Sequence, residues 1–278
     1  MPAFPVTGPV DADLDVSIGS VDVVATDRAD VVAEVVATHP GRSGDESLAR
    51  ESTVALEGGR LRVRVPRRLN LFGQSDSVDV RVELPTESRL TVQCNYGSVR
   101  VRGTVGASRV TAKYGDVTMD EVGDLVLTTP YGTAEVAAVA GTLEATAGHG
   151  HVRVGRVAGA ALLRGAHGTI ELGEAAGPVE AATSGPLTID RALAGVRARS
   201  AHGAIRVRSA EGGVVQLENG YAAVEVGVPA GVAAWVDAAS KHGAVRNELT
   251  PDPTAAASDR TVELHLQTDW SDVIVRRA

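Results

Sequence analysis

Between about Leu90 and Leu249 one short pattern returns nearly every 17 to 19 residues, and nothing else in the chain restricts its fold so tightly. Four copies read Asn95-Tyr96-Gly97-Ser98-Val99-Arg100-Val101, Lys113-Tyr114-Gly115-Asp116-Val117-Thr118-Met119, Gly148-His149-Gly150-His151-Val152-Arg153-Val154 and Ala166-His167-Gly168-Thr169-Ile170-Glu171-Leu172. Each copy holds two short apolar-alternating runs and two turns. That is too little to bury a face alone, so the copies must stack on one another. The expected fold is all-β: a single parallel β-solenoid with coils of about 17–19 residues.

The tight-turn glycine anchors the phase. It falls at Gly97, Gly115, Gly132, Gly150, Gly168, Gly185, Gly203 and Gly243, with Ala222 in its place once. A tight corner needs a positive φ or a close backbone approach, and glycine allows both. The second and fourth residues after the anchor are apolar almost throughout, which is the period of a strand with one buried face. Three residues before the anchor comes a small residue: Cys94, Ala112, Thr129, Ala147, Gly165, Ala182, Ser200, Asn219, Ser240. These read as the inside of a pinched corner, Cys94 included. Three residues after the anchor an outward row runs Arg100, Thr118, Glu135, Arg153, Glu171, Thr188, Arg206, Glu225, Arg246. No two neighbours share a sign. Exposed ion pairs add only about 0.2–1 kcal/mol each, so this row serves register more than stability.

Three segments follow. Residues 1–89 read as irregular N-terminal β coils and a cap, with an inserted loop at 66–77. Residues 90–249 are the regular coils, and 250–278 a loop and a C-terminal capping coil. Within the first segment His39 to Glu51 reads as a polar loop, and Val54–Leu56 with Arg60–Val65 as a hairpin around Gly58 and Gly59.

Composition narrows the function classes. Aromatic content of 3% leaves a core of Val, Leu, Ile and Ala, and 31 glycines supply the turns. A net charge of −8 argues against a nucleic-acid partner. A single cysteine excludes an internal disulfide. No apolar run approaches the roughly 18 residues of a membrane span, and the first thirty residues show no secretory signal pattern. A cytoplasmic location is expected. Basic charge is nearly all arginine, with lysine only at 113 and 241, as in a high-GC genome.

The "Gly, small or acidic, Val, X, Val" coils resemble the bacterial putative-adhesin β-strand-repeat family, whose members mostly lack an assigned function. The run from Ala233-Ala234-Trp235 to Asn247 resembles a subgroup from high-GC Gram-positive bacteria. The motifs behind this likeness are structural, so it implies the solenoid and carries over no catalytic residue.

Two places could bind a ligand. One corner collects Tyr96, Tyr114, Tyr131, His149, His167, Ser184, His202, Tyr221, His242 and Trp270, either as a ladder that shields the turn or as a strip for a carbohydrate or peptide. The other is Arg67, Arg68, Leu69, Leu71 and Phe72, an end plug or an apolar tip with basic flanks. His149, His151 and His167 suit Zn²⁺ or Ni²⁺ in type, but no fourth ligand stands near, so neither metal nor cofactor is expected. No nucleophile elbow, phosphate loop or paired carboxylate points to catalysis. The first expectation is therefore a non-enzymatic scaffold that binds another protein and could self-associate through its ends. The alternative is a carbohydrate-binding or adhesin-like surface protein; a β-helix hydrolase or lyase comes third.

Overall fold

The structure, a computed structural model, describes residues 3–68, 75–250 and 260–278. It is nearly all β, with one helix, Ser43–Glu51, among the described residues. The strands divide between two compact units that meet in sequence at Ala140 and Gly141.

In the first unit the strands form two mostly parallel sheets. From its edge, the first sheet runs Ala3–Pro5, Asp30–Ala37, Val78–Pro85, Val21–Thr26, Val99–Val105, Val117–Val122 and Thr133–Val139. The second runs Thr53–Glu57, Arg60–Arg64, Asp11–Ile18, Arg89–Tyr96, Ser108–Tyr114 and Leu125–Thr129. Val, Ile and Thr favour these extended runs because branched side chains pack well on a pleated surface. Alternate residues such as Leu14, Leu90, Val92, Val99 and Met119 turn inward and are buried. Among the described residues of this unit antiparallel pairing is confined to the edge: Ala3–Pro5 on Asp30–Ala37, that strand on Val78–Pro85, and the expected hairpin Thr53–Glu57 on Arg60–Arg64. Short strands, a proline and charged residues blunt such an edge against further pairing.

The strand order departs from chain order here. The first coil, Asp11–Ile18 and Val21–Thr26, already has the regular form, with Gly19 in register beneath Gly97. Arg60–Arg64 and Val78–Pro85 then pack on its outer side, so the first coil in sequence is the second in space. The polar segment His39 to Glu51, expected as a loop, contains the helix. It buries only Asp45 and Leu48, so no apolar stripe announced it.

The second unit also has two sheets, both parallel. One runs His151–Val157, Thr169–Ala175, Leu187–Ala192, Ile205–Ala210, Val224–Val228, Val273–Arg277 and Val245–Asn247. The other runs Leu143–Ala147, Ala161–Gly165, Val179–Thr183, Val196–Ser200, Gly213–Asn219, Thr261–Thr268 and Ala233–Ser240. The C-terminal strands therefore do not cap the array, as the sequence suggested. They slot between the coil of Gly213–Asn219 and that of Ala233–Ser240, which becomes the outer edge. The reason is interchangeability: every coil offers the same inward apolar pattern, and Leu264 and Leu266 fill the inner positions as well as any other pair.

Candidate binding site

Corner glycines position everything that faces outward. In the first unit Gly19, Gly97, Gly115 and Gly132 have φ between +131° and +144°. In the second unit the expected positive φ is absent at Gly168, yet a Cβ there would lie 2.0 Å from the Gly150 carbonyl oxygen. Close approach, not backbone sign, demands glycine at Gly168.

The inner corner series is more than filler. Gly185 N–H donates to Thr183 Oγ1 at 3.0 Å, and the Ser200 hydroxyl donates to the Gly185 carbonyl at 3.1 Å. Asn219 Nδ2 donates to the Gly203 carbonyl at 2.6 Å, while its Oδ1 accepts from the amides of Tyr221 and Ala222. These side chains satisfy turn groups that would otherwise be orphaned. Ala182, expected inside, is exposed, and Thr183 takes its place. The corner from Thr183 to Leu187 is one residue shorter than its neighbours, so counting back from Gly185 overshoots. Cys94 is buried and its thiol approaches the Gly19 carbonyl at 3.6 Å; burial pushes its pKa up to about 11.

The aromatic corner is built as stacks. Tyr96 lies on Tyr114 with ring centroids 4.8 Å apart, and Tyr114 on Tyr131 at 4.9 Å, each pair 4° from parallel. In the second unit His149 stacks on His167 at 5.2 Å, His202 on Tyr221 at 5.1 Å, and His242 on Trp270 at 3.9 Å. Ser184 breaks the series between His167 and His202. Tyr114 is covered on both faces by its neighbours, so it presents its ring edge and hydroxyl to solvent rather than the flat face on which a sugar ring would lie. His151 leaves the corner: it stands beside Thr169 and its Nε2 is 3.8 Å from the Glu171 carboxylate. Among the described residues no group of three His, Cys, Asp or Glu is placed to hold a metal ion.

Of the N-terminal loop candidates, Leu69, Leu71 and Phe72 lie outside the described residues. Arg67 reaches Asp15 at 3.5 Å. Arg68 is held by Asp76 at 3.0 Å, Glu51 at 2.5 Å and the Ser47 hydroxyl at 3.0 Å, tying the helix to the following segment. Its guanidinium holds the Glu51 carboxyl below the ordinary carboxylate range. Beside it, Asp45 is fully buried. Burial alone would raise its pKa, but the Ser77 amide, the His39 ring and amide, and the nearby Arg42 together lower it.

The feature that sequence reasoning missed is an arginine groove on the second sheet of the first unit. Arg60, Arg62 and Arg64 alternate outward on one strand, in register with Asp11, Asp13 and Asp15 on the next. Beyond these come Arg89 and Thr91, then Arg109. All of these but Asp15 line an open groove of about 800 Å³. Asp11 pairs with Arg89 at 2.6 Å and Arg60 at 3.7 Å, and Asp13 pairs with Arg64. The signal was present as two complementary alternations, Asp-x-Asp-x-Asp and Arg-x-Arg-x-Arg. Only their non-local pairing makes a surface of them.

No family model matches the chain, and no curated protein matches it. Among solved structures it is similar to a putative adhesin from Bacteroides fragilis, at 13% identity and TM-score 0.41 over 99% of this chain and 95% of that one. It is also similar to a putative adhesin from Parabacteroides merdae, at 10% identity and TM-score 0.37 over 98% and 94%. A putative cell adhesion protein from Clostridium sporogenes matches at 9% identity and TM-score 0.23 over 100% and 98%. At these values function has to be argued from the site itself. The names these structures carry describe adhesion and conflict with the expected cytoplasmic location, so that expectation is withdrawn. No described helix is long and apolar enough to cross a membrane, which says nothing of a span built from strands.

Proposed function

We propose that the chain is a non-catalytic, adhesin-like module that binds an extended polysaccharide across the polar faces of its sheets. The observation that carries this reading is the in-register grid of Asp11, Asp13 and Asp15 between arginine-bearing strands, where planar polar groups repeat at the strand spacing and neighbouring ion pairs fix them. Such a surface offers many hydrogen bonds already oriented, which reduces the ordering cost of binding. The same reading takes the strand pairs of both units as coils of a single β-solenoid, and the arginine-rich usage as kinship with the high-GC subgroup.

Two of the three glutamates in the outward row support a non-catalytic role. Glu171 is ion-paired by Arg153 at 2.6 Å and Glu225 by Arg276 at 2.5 Å and Arg206 at 3.1 Å, so neither is set up as a free acid or base. The expectation of a protein partner rests on flat sheet faces and the ladder-lined corner; its further anchor, the apolar tip at Leu69, Leu71 and Phe72, lies outside the described residues. The test is retention of labelled protein on a panel of immobilised bacterial envelope polysaccharides, with reducing ends measured in the same wells. Retention without new reducing ends fits the proposal. Reducing ends that grow with protein concentration would show an enzyme instead.

A further inference from the structure

We infer that the groove of the first unit binds the carboxylates of an acidic polysaccharide, with Arg62 and Arg109 as the two guanidiniums that receive them. This rests on the polysaccharide-binding reading above and assigns its site and ligand class.

Arg62, Asp13, Thr91 and Arg109 stand in one row across four neighbouring strands. Three strand steps separate the two arginines, about 14 Å of backbone at the usual strand spacing. Arg60 and Arg89 are engaged by Asp11, and Arg64 by Asp13. Arg62 and Arg109 are exposed and make no ion pair or hydrogen bond among the described residues. The groove thus holds five arginines against Asp11, Asp13 and Asp124, a local positive excess on a chain of net charge −8. Arg100 and Arg197 are also unpaired, but neither lines this groove.

The chemistry selects the ligand. A guanidinium fork matches a carboxylate through two parallel hydrogen bonds. Between the two forks the floor offers the Thr91 hydroxyl and the Asp13 carboxylate, which suit sugar hydroxyls and oppose a densely charged phosphate backbone. The lining residues include no aromatic ring, so a peptide anchored by a large apolar side chain finds no socket there. A linear chain with carboxylates at intervals and hydroxyls between them meets each of these features.

Calorimetric titration of the full chain with hyaluronate, which carries one carboxylate per disaccharide, and with its methyl-esterified form, tests the assignment. Binding is expected for the acid and not for the ester, weakening as salt is raised. Arg62→Gln and Arg109→Gln are each expected to lower affinity roughly ten-fold or more, the scale of one lost charged contact. Arg100→Gln should leave affinity unchanged, and all three variants should melt with the wild type. Equal binding of acid and ester, indifference to both groove substitutions, no binding of either glycan, or tighter binding of a single-stranded oligonucleotide would each overturn the assignment. A hit in the envelope panel that survives both groove substitutions would sink the groove while leaving the polysaccharide-binding module intact.

Discussion

Alanine at three glycines separates the two reasons a corner can require glycine. Gly58 sits at φ +55° with no atom within 4 Å of the point a methyl group would occupy, so Gly58→Ala meets only the left-handed backbone cost, about 1 kcal/mol. Gly168 has no left-handed φ, but its new Cβ would stand 2.0 Å from the Gly150 oxygen, where ordinary contact begins at 3.4 Å. The two turns must part by more than 1 Å. That movement strains the bonds from Gly168 N–H to the Gly148 carbonyl and from Thr169 N–H to the Gly150 carbonyl, both 3.2 Å long. Overpacking at roughly 1–3 kcal/mol and the partial weakening of these two hydrogen bonds, about 1 kcal/mol together, give about 2–4 kcal/mol for Gly168→Ala. Gly97 combines φ +141° with a Cβ only 1.7 Å from the Gly19 oxygen. Its substitution should exceed the Gly168 cost by a further 1–3 kcal/mol or so. Urea melts followed by circular dichroism, compared at constant slope, should rank the variants Gly58, Gly168, Gly97. If Gly168→Ala melts within about 0.5 kcal/mol of wild type, the close stacking of corners is wrong.

Three further outcomes follow from burial and charge. Ile170→Asp places an unpaired carboxylate among buried side chains and should prevent folding, while Thr169→Val at the half-exposed neighbour should shift stability by only about 0.5 kcal/mol; equal damage in thermal melts would contradict the alternation. Cys94, with its pKa pushed up to about 11, should resist a thiol reagent at neutral pH in the native protein and react at once in denaturant. Asp45 is held below its ordinary pKa of 3.8, so its stabilising contribution is present above that value and fades as pH falls through the lower folded one. The melting-temperature gap between wild type and Asp45→Asn should therefore be constant near neutrality and close in acid; a gap independent of pH would show that the charge of Asp45 contributes nothing.

Much of the architecture was legible because a strand writes its buried face at period two and each corner leaves a small residue or glycine. Val99 with Val101 and Ile170 with Leu172 fix the phase without any structural knowledge. The order of coils at either end was not legible. Val80 and Val82, or Leu264 and Leu266, satisfy the inner positions of any neighbour, so sequence cannot say which coil lies outermost. The helix at Ser43–Glu51 escaped because its buried side is one leucine and one aspartate, held by polar contacts rather than an apolar stripe. The arginine groove escaped for a related reason. Arg62 and Arg109 are 47 positions apart in sequence and come into one row only because the strand of Arg60–Arg64 returns to lie beside Asp11–Ile18. The tyrosine ladder was legible, while the self-coverage of its rings depends on rotamers that the sequence does not state.

Every outward row of side chains depends on parallel pairing in one register, and an engineered cross-link reads that register directly. In a Cys94→Ala background, Arg153→Cys with Glu171→Cys places two thiols on directly paired positions of adjacent strands. Arg153→Cys with Glu174→Cys is the control, since Glu174 pairs with Arg156 instead. Parallel neighbours about 4.8 Å apart lie within the roughly 4.4–6.8 Å separation a disulfide spans, whereas positions three residues out of register do not. Mild oxidation followed by mass spectrometry should find the bond in the first variant and free thiols in the second. A disulfide in the Arg153→Cys, Glu174→Cys protein and none in its counterpart would contradict the register, and with it the rows built upon it.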